Sequence, residues 1–487
     1  MRIFARIFGM TDLSPATLLA ALALVAGCGT VRAVREARIQ QEAWAARGTG
    51  VEAAPPAGKV SLEGWGLPQL VDFAMTNRPS MAKARIAVED ARLALREIES
   101  EAPLLSSTPW NAPKVSASVG RSERSRSGRS LRGDTDGGAS AELSLDLLVY
   151  DFGRNAAAAR ARAEDVVAAE VGVVGTGYAI FEEVTESYFA LLRNEALLEV
   201  ALVKAGEYAE HERQAETMME NGEAKEVDVL KARLDLAKAE QDVVSASNDV
   251  VTAGADLMAA LGIDAAVGDF RSVLGARDLG LWRLRKFFDA TEDGADALYV
   301  VACTNAPAMQ VARAKLRAAS HQLDVAVADL YPTIRASASL NWADPLWYWT
   351  WGLSGAQSLF TGWRRTAEVE RATRSLDSAA HEVGAVGLEL SGALELAVAE
   401  RDNAAEALLT AKASLRRARE NLETVREQFN LGDASRVDFT DAAADYAAAM
   451  GDRVRAFYRG QVAESRLYRI TGRMPRYNEE TTGEEED

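Results

Sequence analysis

The stretch "SLDLLVYDFGRNAAAARA", residues Ser144 to Ala161, changes its pattern halfway along. Up to Tyr150, apolar and polar side chains alternate, which is the period-two pattern of a β-strand with two different faces. After Arg154, alanine and arginine dominate, and both residues favour the α-helix. The stretch therefore predicts a strand that passes directly into a helix, without a domain boundary between them.

The same change recurs further along the chain in "GAQSLFTGWRRTAEVERA", residues Gly355 to Ala372. A glycine stands at each joint, Gly153 in the first and Gly362 in the second, and glycine allows the bend that such a joint needs. An arginine follows closely in both cases, Arg154 and Arg364, and a cation there suits the headgroup level of a membrane. We predict that these four residues form two strand–helix joints.

Matching residues indicate that the chain is duplicated. Four pairs keep a separation of 210 positions: Tyr150 and Phe360, Arg154 and Arg364, Gly222 and Gly432, and Gly262 and Gly472. Upstream, "TNRPSM" at residues 76–81 matches "TNAPAM" at 304–309 with a separation of 228. The polar loop Arg121–Gly138 accounts for the difference, since an insertion belongs in an exposed loop. Each repeat is predicted to contain a helix, two strands, a long helix, a turn and a final helix.

Four segments with a period of two predict two strands in each repeat, at about residues 113–121, 139–150, 332–341 and 347–360. A length of about ten residues is typical of outer-membrane barrel strands, although a soluble four-stranded sheet is the alternative. Four of the nine tryptophans cluster at the second hairpin, as in an interfacial girdle: Trp342, Trp347, Trp349 and Trp351. Four strands cannot close a barrel, and an open edge cannot stand in lipid. The sequence therefore predicts a symmetric oligomer.

The segment after the first joint is predicted to be one very long helix. No proline interrupts it, so Arg154 to about Asn221 can extend for about 100 Å at 1.5 Å per residue. Two apolar seams with heptad spacing follow it: Val167, Val171, Val174, Tyr178, Phe181 and Tyr188, and then Val173, Ile180, Val184, Leu191, Leu198 and Leu202. A core stripe in a bundle explains one seam, whereas two seams let the helix touch a neighbour on each side, as a closed wall of helices requires.

Both ends of the chain have segments that are not part of the repeats. A basic start, an apolar core and small residues before Cys28 are typical of a bacterial lipoprotein signal peptide. We predict that residues 1–27 are removed, that the Cys28 thiol is acylated, and that residues 28–66 form a lipid-anchored linker. An ordinary signal peptide with a chance cysteine is the alternative. Residues 474–487 are predicted to be an acidic, disordered tail.

The motifs "LVYDFGR", "SLFTGWRR" and "FNLGDASRVDFTDA", in this order and with the duplication, resemble the TolC family of bacterial outer-membrane channels and efflux lipoproteins. The resemblance covers the chain from about Leu67 to Arg473. It implies a mainly α fold with a β-barrel part, in which each chain supplies four transmembrane β-strands and long periplasmic α-helices to a trimeric α/β-barrel. It also implies a first repeat at 67–264, an equatorial segment at 265–300 and a second repeat at 301–473.

The resemblance further implies two helix–turn–helix tips where a periplasmic adaptor would dock. The residues assigned to these tips are Gly222, Glu223, Gly432, Asp433 and Ser435. The constricting carboxylates of the family map to Asp438 and Asp441, and threefold symmetry would place six carboxylates around a narrow axis as a cation-attracting gate. The alternative for these two aspartates is a structural one, because acidic residues favour the amino terminus of a helix.

The sequence carries no pattern that indicates an enzyme, a cofactor or a metal. The histidines His211, His321 and His381 are isolated from other ligands, and no phosphate-binding loop is present. The net charge of −17 argues against a nucleic-acid partner. The expected function is the outer-membrane channel of a tripartite efflux system in a Gram-negative bacterium, a homotrimer that an adaptor and an inner-membrane pump open at its periplasmic tip. The alternatives are a type I protein secretion channel and a structural coiled-coil lipoprotein without a pore.

Overall fold

The computed structural model of the protein describes residues 65–103, 114–123, 137–222, 225–263, 294–343, 346–358, 362–431 and 433–473, together with Arg38 and Phe360. Several predictions concern residues outside these ranges: the signal peptide, Cys28, nearly all of the linker, Glu223, Gly432, residues 265–293 of the equatorial segment and the acidic tail. The described residues divide into two compact units, which we call the sheet unit (within 92–164 and 317–377) and the helical unit (within 65–91, 165–316 and 378–473).

The described elements repeat their order in the two halves of the chain. The first half contains α1 (Leu67–Asn77), α2 (Pro79–Ser100), β1 (Lys114–Glu123), β2 (Gly137–Tyr150), α3 (Arg154–Glu220) and α4 (Glu226–Leu261). The second half contains α5 (Ala295–Asn305), α6 (Pro307–Ala328), β3 (Thr333–Ala343), β4 (Leu346–Ala356), α7 (Arg364–Leu431) and α8 (Arg436–Thr471). The long helices α3 and α7 have 67 and 68 residues, and α4 and α8 have 36 each.

The sheet unit contains one antiparallel sheet with the strand order β1-β2-β3-β4. Each repeat contributes a hairpin, and the central pairing of β2 with β3 joins the two repeats in a register that runs from Ser140 opposite Ala343 to Tyr150 opposite Ile334. The predicted strand at 347–360 is too long, because β4 ends at Ala356. Ala356 lies opposite Thr333, and the residue before Thr333 is a proline, which has no N–H to continue the ladder.

The two faces of the sheet differ in chemistry. One face carries a row of hydroxyl groups across all four strands, in which Ser116 Oγ lies 2.6 Å from Ser144 Oγ and Ser339 Oγ lies 2.7 Å from Thr350 Oγ1. The opposite face is apolar and open, and its tryptophans include Trp351, which is 75% exposed. Each strand therefore has one polar and one apolar face, which is the pattern of strands between a lipid phase and an aqueous lumen.

The core of the helical unit lies where α3, α4 and α8 meet. Large side chains without solvent contact fill it, among them Tyr188, Phe189, Leu191, Leu257, Met258 and Leu261. Both predicted seams of α3 are buried in the middle of the helix, where Phe181 and Tyr188 represent the first seam and Val184 and Leu191 the second. The outer ends of the seams, at Val167 and Leu202, stay substantially exposed in the single chain.

The starts of the repeats and the end of the equatorial segment also differ from the sequence prediction. Each repeat begins with two helices rather than one, because the chain becomes extended at Arg78 and at Ala306, directly before Pro79 and Pro307. A residue before proline is disfavoured in the α conformation, so one helix ends and the proline starts the next. The predicted end of the equatorial segment at residue 300 falls inside α5, whose Leu298 packs with the second repeat. None of the described helices is both long enough and apolar enough to cross a membrane.

Candidate functional site

Each strand–helix joint contains two consecutive residues with left-handed backbone. At the first joint these are Phe152 (φ 55°) and Gly153 (φ 87°), and at the second they are Gly362 (φ 63°) and Trp363 (φ 66°). The predicted glycines are therefore at the bends, but each supplies only half of its bend. At the separation of 210, Gly153 corresponds to Trp363, and Phe152 corresponds to Gly362. In each joint, therefore, one of the two left-handed residues is aromatic, and this conformation is strained for any residue other than glycine.

A buried carboxylate that the sequence analysis missed organises the first joint. Asp151 is 4% exposed, and its two carboxylate oxygens accept hydrogen bonds from the backbone N–H groups of Gly153 (3.2 Å) and Asn155 (2.7 Å). Asp151 lies three residues before the start of α3, and an aspartate just before a helix often accepts hydrogen bonds from its first N–H groups, which was the available signal. Arg154 forms an ion pair with Asp329 at 2.8 Å, whereas Arg364 lies 3.6 Å from Glu368 on its own helix.

Exposed aromatic side chains collect beside the joints. Phe152 stacks on Tyr331 with ring centroids 5.4 Å apart and meets Tyr150 edge-on at 4.8 Å. The rings of Phe360 and Trp363 meet edge-on with centroids 6.4 Å apart, and about three-quarters of each residue is exposed to solvent. Rings at this level are typical of a membrane–water interface, so the sheet unit has aromatic groups at the joints in addition to the predicted tryptophans of β4.

The second tip is closed by a reciprocal cap at the start of α8. The backbone N–H of Asp438 donates to Ser435 Oγ at 3.3 Å, while Asp438 Oδ2 accepts from the Ser435 N–H at 2.9 Å and from its hydroxyl at 2.7 Å. These hydrogen bonds from Ser435 lower the pKa of the Asp438 carboxyl. The structural interpretation of Asp438 as an acidic residue at a helix start is therefore supported by its geometry.

Asp441 lies three residues further along α8 than Asp438, and both side chains are exposed. Residues three apart on a helix lie on the same side, so the two predicted gate carboxylates share one face. Asp433 and Ser435 are exposed beside them, before the helix begins. At the first tip, Gly222 turns the chain with φ 80°, and α4 starts after Lys225.

An aromatic cluster that the sequence analysis did not identify lies behind the tips. His211 of α3 has no solvent contact and lies between Phe429 of α7 (5.4 Å between centroids) and Phe439 of α8 (5.2 Å, stacked). Neither ring nitrogen of His211 has a hydrogen-bond partner. Burial, and then the nearby Arg436 guanidinium, lower the pKa of His211, while Asp235 opposes this shift. The histidine is therefore held neutral inside the cluster.

Ion pairs between helices surround this cluster. Arg436 of α8 contacts Asp235 of α4 at 2.9 Å, and both side chains are largely shielded from solvent. Arg233 of α4 reaches α3 at Glu216 (2.6 Å) and Glu212 (3.2 Å). Arg426 and Glu207 pair α7 with α3. Such contacts between distant parts of the chain cannot be predicted from heptad spacing, because the spacing does not define which helices are neighbours.

The fold and these features define a class of protein, an outer-membrane channel with a sheet part and a long helical part. A model of the outer membrane efflux protein family matches residues 70–263 and 298–473. The chain belongs to this family, which confirms the resemblance to TolC-type channels seen in the sequence. Among individual curated proteins, no sequence matches the chain.

Solved structures with the same fold include outer-membrane channels. The outer membrane protein VceC of Vibrio cholerae has 17% identity and a TM-score of 0.69, and the match covers 83% of this chain and 96% of VceC. A membrane protein from Pseudomonas aeruginosa has 18% identity and a TM-score of 0.71 over 87% and 96%. The open-state MtrE channel of Neisseria gonorrhoeae has 17% identity and a TM-score of 0.66 over 84% and 89%. These likenesses confirm the predicted fold class, a mainly α protein with a β-barrel part.

Proposed function

We propose that this protein is the outer-membrane component of a tripartite efflux system, a passive conduit that an adaptor and an inner-membrane pump open at its periplasmic tips. Membership of the outer membrane efflux protein family supports the channel itself. The observation that carries the proposal is the sheet with one polar and one apolar face and two unpaired edges, in a chain whose strands pass directly into helices of 67 and 68 residues.

The homotrimer in this proposal follows from the edges of the sheet. In the described sheet β1 and β4 pair on one side only, and unpaired backbone groups are not tolerated in lipid. Three copies would give twelve strands, enough to close a barrel, since about eight is the practical minimum. A row of exposed apolar residues on α4 supports the same assembly, because heptad spacing suits a helix of a second copy: Val227, Leu230, Leu234, Val244 and Val251.

We propose that Asp441 is the main gate residue and that Asp438 combines a gate role with the cap of α8. Asp441 is exposed, and no described residue forms an ion pair with it, whereas Asp438 is engaged by Ser435. Three Asp441 carboxylates around a narrow axis would attract cations and repel anions. The turns that carry Gly222, Glu223, Gly432, Asp433 and Ser435 are proposed as the docking sites of the adaptor.

Planar-bilayer recording in a salt gradient tests the conduit and its gate. The wild-type protein is expected to conduct with a preference for cations, and D441N is expected to lose a large part of that preference. D256N removes the same charge from an exposed position of α4 and is the matched control, for which no change is expected. A protein that reconstitutes without any conductance would support the structural lipoprotein instead.

The cellular role and the membrane anchor need separate tests. We expect a deletion strain to become sensitive to toxic small solutes, whereas loss of a protein from the culture supernatant would indicate a secretion channel. We also propose that Cys28 is acylated after removal of residues 1–27 and that the part of the predicted segment 265–300 before α5 belongs to an equatorial segment. Metabolic labelling with a palmitate analogue should mark the wild-type protein but not C28S, and equal labelling of both would contradict acylation at Cys28.

A further inference from the structure

The solvent-exposed face of α8 changes sign along its length. Its first half presents four exposed aspartates at helical spacing, Asp438, Asp441, Asp445 and Asp452, and its second half presents arginines, Arg455, Arg459, Arg466 and Arg469. The change occurs within one turn, where Arg455 Nη2 lies 3.0 Å from Asp452 Oδ1. The proposed gate residues lie in the acidic half, so the arginine half is not part of the proposed gate.

The arginine half borders a cleft of about 640 Å³ in the helical unit. Three helices line this cleft: α3 with Phe189 and Arg193, α7 with Asn403, and α8 with Tyr458 and Arg459. The volume is within the range of sites that hold small organic molecules, about 300–1,000 Å³. The rings of Phe189 and Tyr458 are buried, whereas Arg193 and Arg459 are exposed. The cleft thus has an aromatic floor and a cationic rim.

The arginines of the cleft differ in how far their charge is already neutralised. Arg466 is fully engaged, since it contacts Glu186 of α3 at 2.7 Å and Glu400 of α7 at 2.9 Å. Arg459 has no hydrogen bond or ion pair with any described residue, and Arg193 donates only to Asn194 Oδ1 at 3.4 Å. The two glutamates are therefore occupied by Arg466, and the rim retains unpaired positive charge.

We propose that this cleft binds organic anions, with an aromatic or aliphatic body on the floor of Phe189 and Tyr458 and a carboxylate or sulfonate held by Arg193 and Arg459. A guanidinium suits such a group because its fixed fork of N–H donors matches two anionic oxygens. Binding of the anion does not depend on the proposed channel function, whereas block of the channel current by the bound anion does.

Calorimetric titration of the purified full-length protein in a neutral detergent tests the binding, with naphthalene-1,5-disulfonate as the probe and detergent alone as the blank. We expect R459Q and R193Q each to weaken binding about fivefold to tenfold, and high salt to weaken the wild type, since exposed charges are screened. R85Q changes an exposed arginine of α2 outside the cleft and should bind like the wild type. Both cleft arginines lack helix-joining contacts, so oligomeric state and thermal stability should not change.

Two outcomes would overturn the inference: a wild type that does not bind the probe, and an R193Q/R459Q double variant that binds it as tightly as R85Q. Bilayer recording separates this result from the proposed function. A protein that conducts but does not bind the probe refutes only the anion site, and a protein that binds the probe but does not conduct refutes only the channel. In the channel, the probe should block the wild-type current more strongly than that of the double variant.

Discussion

His211 is a titratable side chain enclosed by two phenylalanine rings, and its folded-state pKa lies below its ordinary value. A base whose pKa is lowered by folding binds more protons when the chain unfolds. The unfolded state therefore gains stability as pH falls below about 6.5, the ordinary histidine value. Two charged groups lie near the His211 ring, Arg436 and Asp235. The Arg436 guanidinium lowers the pKa of His211 further, as burial does, whereas Asp235 raises it.

We expect acidification from pH 7.5 to pH 5 to favour the folded state of H211L relative to that of the wild type, because the variant lacks the histidine that takes up a proton on unfolding. Calorimetric unfolding in detergent at the two pH values measures this difference. His381 is exposed on α7, so H381L should behave like the wild type. An equal change in thermal stability between the two pH values in H211L and the wild type would contradict the role of His211.

The contribution of Glu195 of α3 to folding stability depends on pH in the opposite direction to that of His211. Burial, and then the charge of Glu199, raise its pKa to about 7. A raised carboxyl pKa means that the folded state prefers the protonated form, so stability is lost as pH rises from about 4.5 through 7. E195Q should therefore raise the melting temperature at pH 8, by an amount equivalent to no more than about 3 kcal/mol, and leave it nearly unchanged at pH 4.5. A stabilisation of equal size at both pH values would contradict this linkage.

At the scale of the elements, the joints show what the sequence can and cannot predict. The strand–helix transition and the position of the bend follow from the period of the apolar residues and from Gly153 and Gly362. Each joint has one further left-handed residue beside its glycine, Phe152 or Trp363. This could not be predicted, because aromatic residues ordinarily avoid the left-handed backbone conformation. Helix lengths were predictable because proline is absent from α3 and α7, whereas the pairing of the tip helices depends on contacts between distant residues.

Substitution of the first joint glycine tests the left-handed bend directly. Gly153 has φ 87° and open space around its Cα, so G153A is expected to destabilise by about 1–2 kcal/mol through backbone strain alone. G172A is the matched control, because Gly172 also has open space but lies within α3 and should gain about 0.5–1 kcal/mol. Thermal unfolding of the two variants beside the wild type measures both effects. A stabilising G153A would show that the joint does not need a left-handed residue.

At the scale of the whole molecule, two features of the single chain predict an oligomer: the open edges of the four-stranded sheet and the exposed apolar row on α4. We expect size-exclusion chromatography with light scattering in detergent to give about three times the chain mass of 52.3 kDa before removal of a signal peptide. L230E/L234E should reduce the trimer fraction, and K238E, at an exposed position of the same helix, is the control. A monomeric wild type would refute the assembly.

The central pairing of β2 with β3 links two repeats with the same order of elements within a single polypeptide. Position 231 of the first tip is lysine where the second tip has Asp441, so the copies already differ in the sign of their charge. In the trimer that we propose, a substitution in one repeat changes three of the six tips. In a ring of six identical single-repeat chains, the same substitution would change all six. Two repeats in one chain thus allow alternate tips to differ, so that only one set of three has a second carboxylate at the proposed gate.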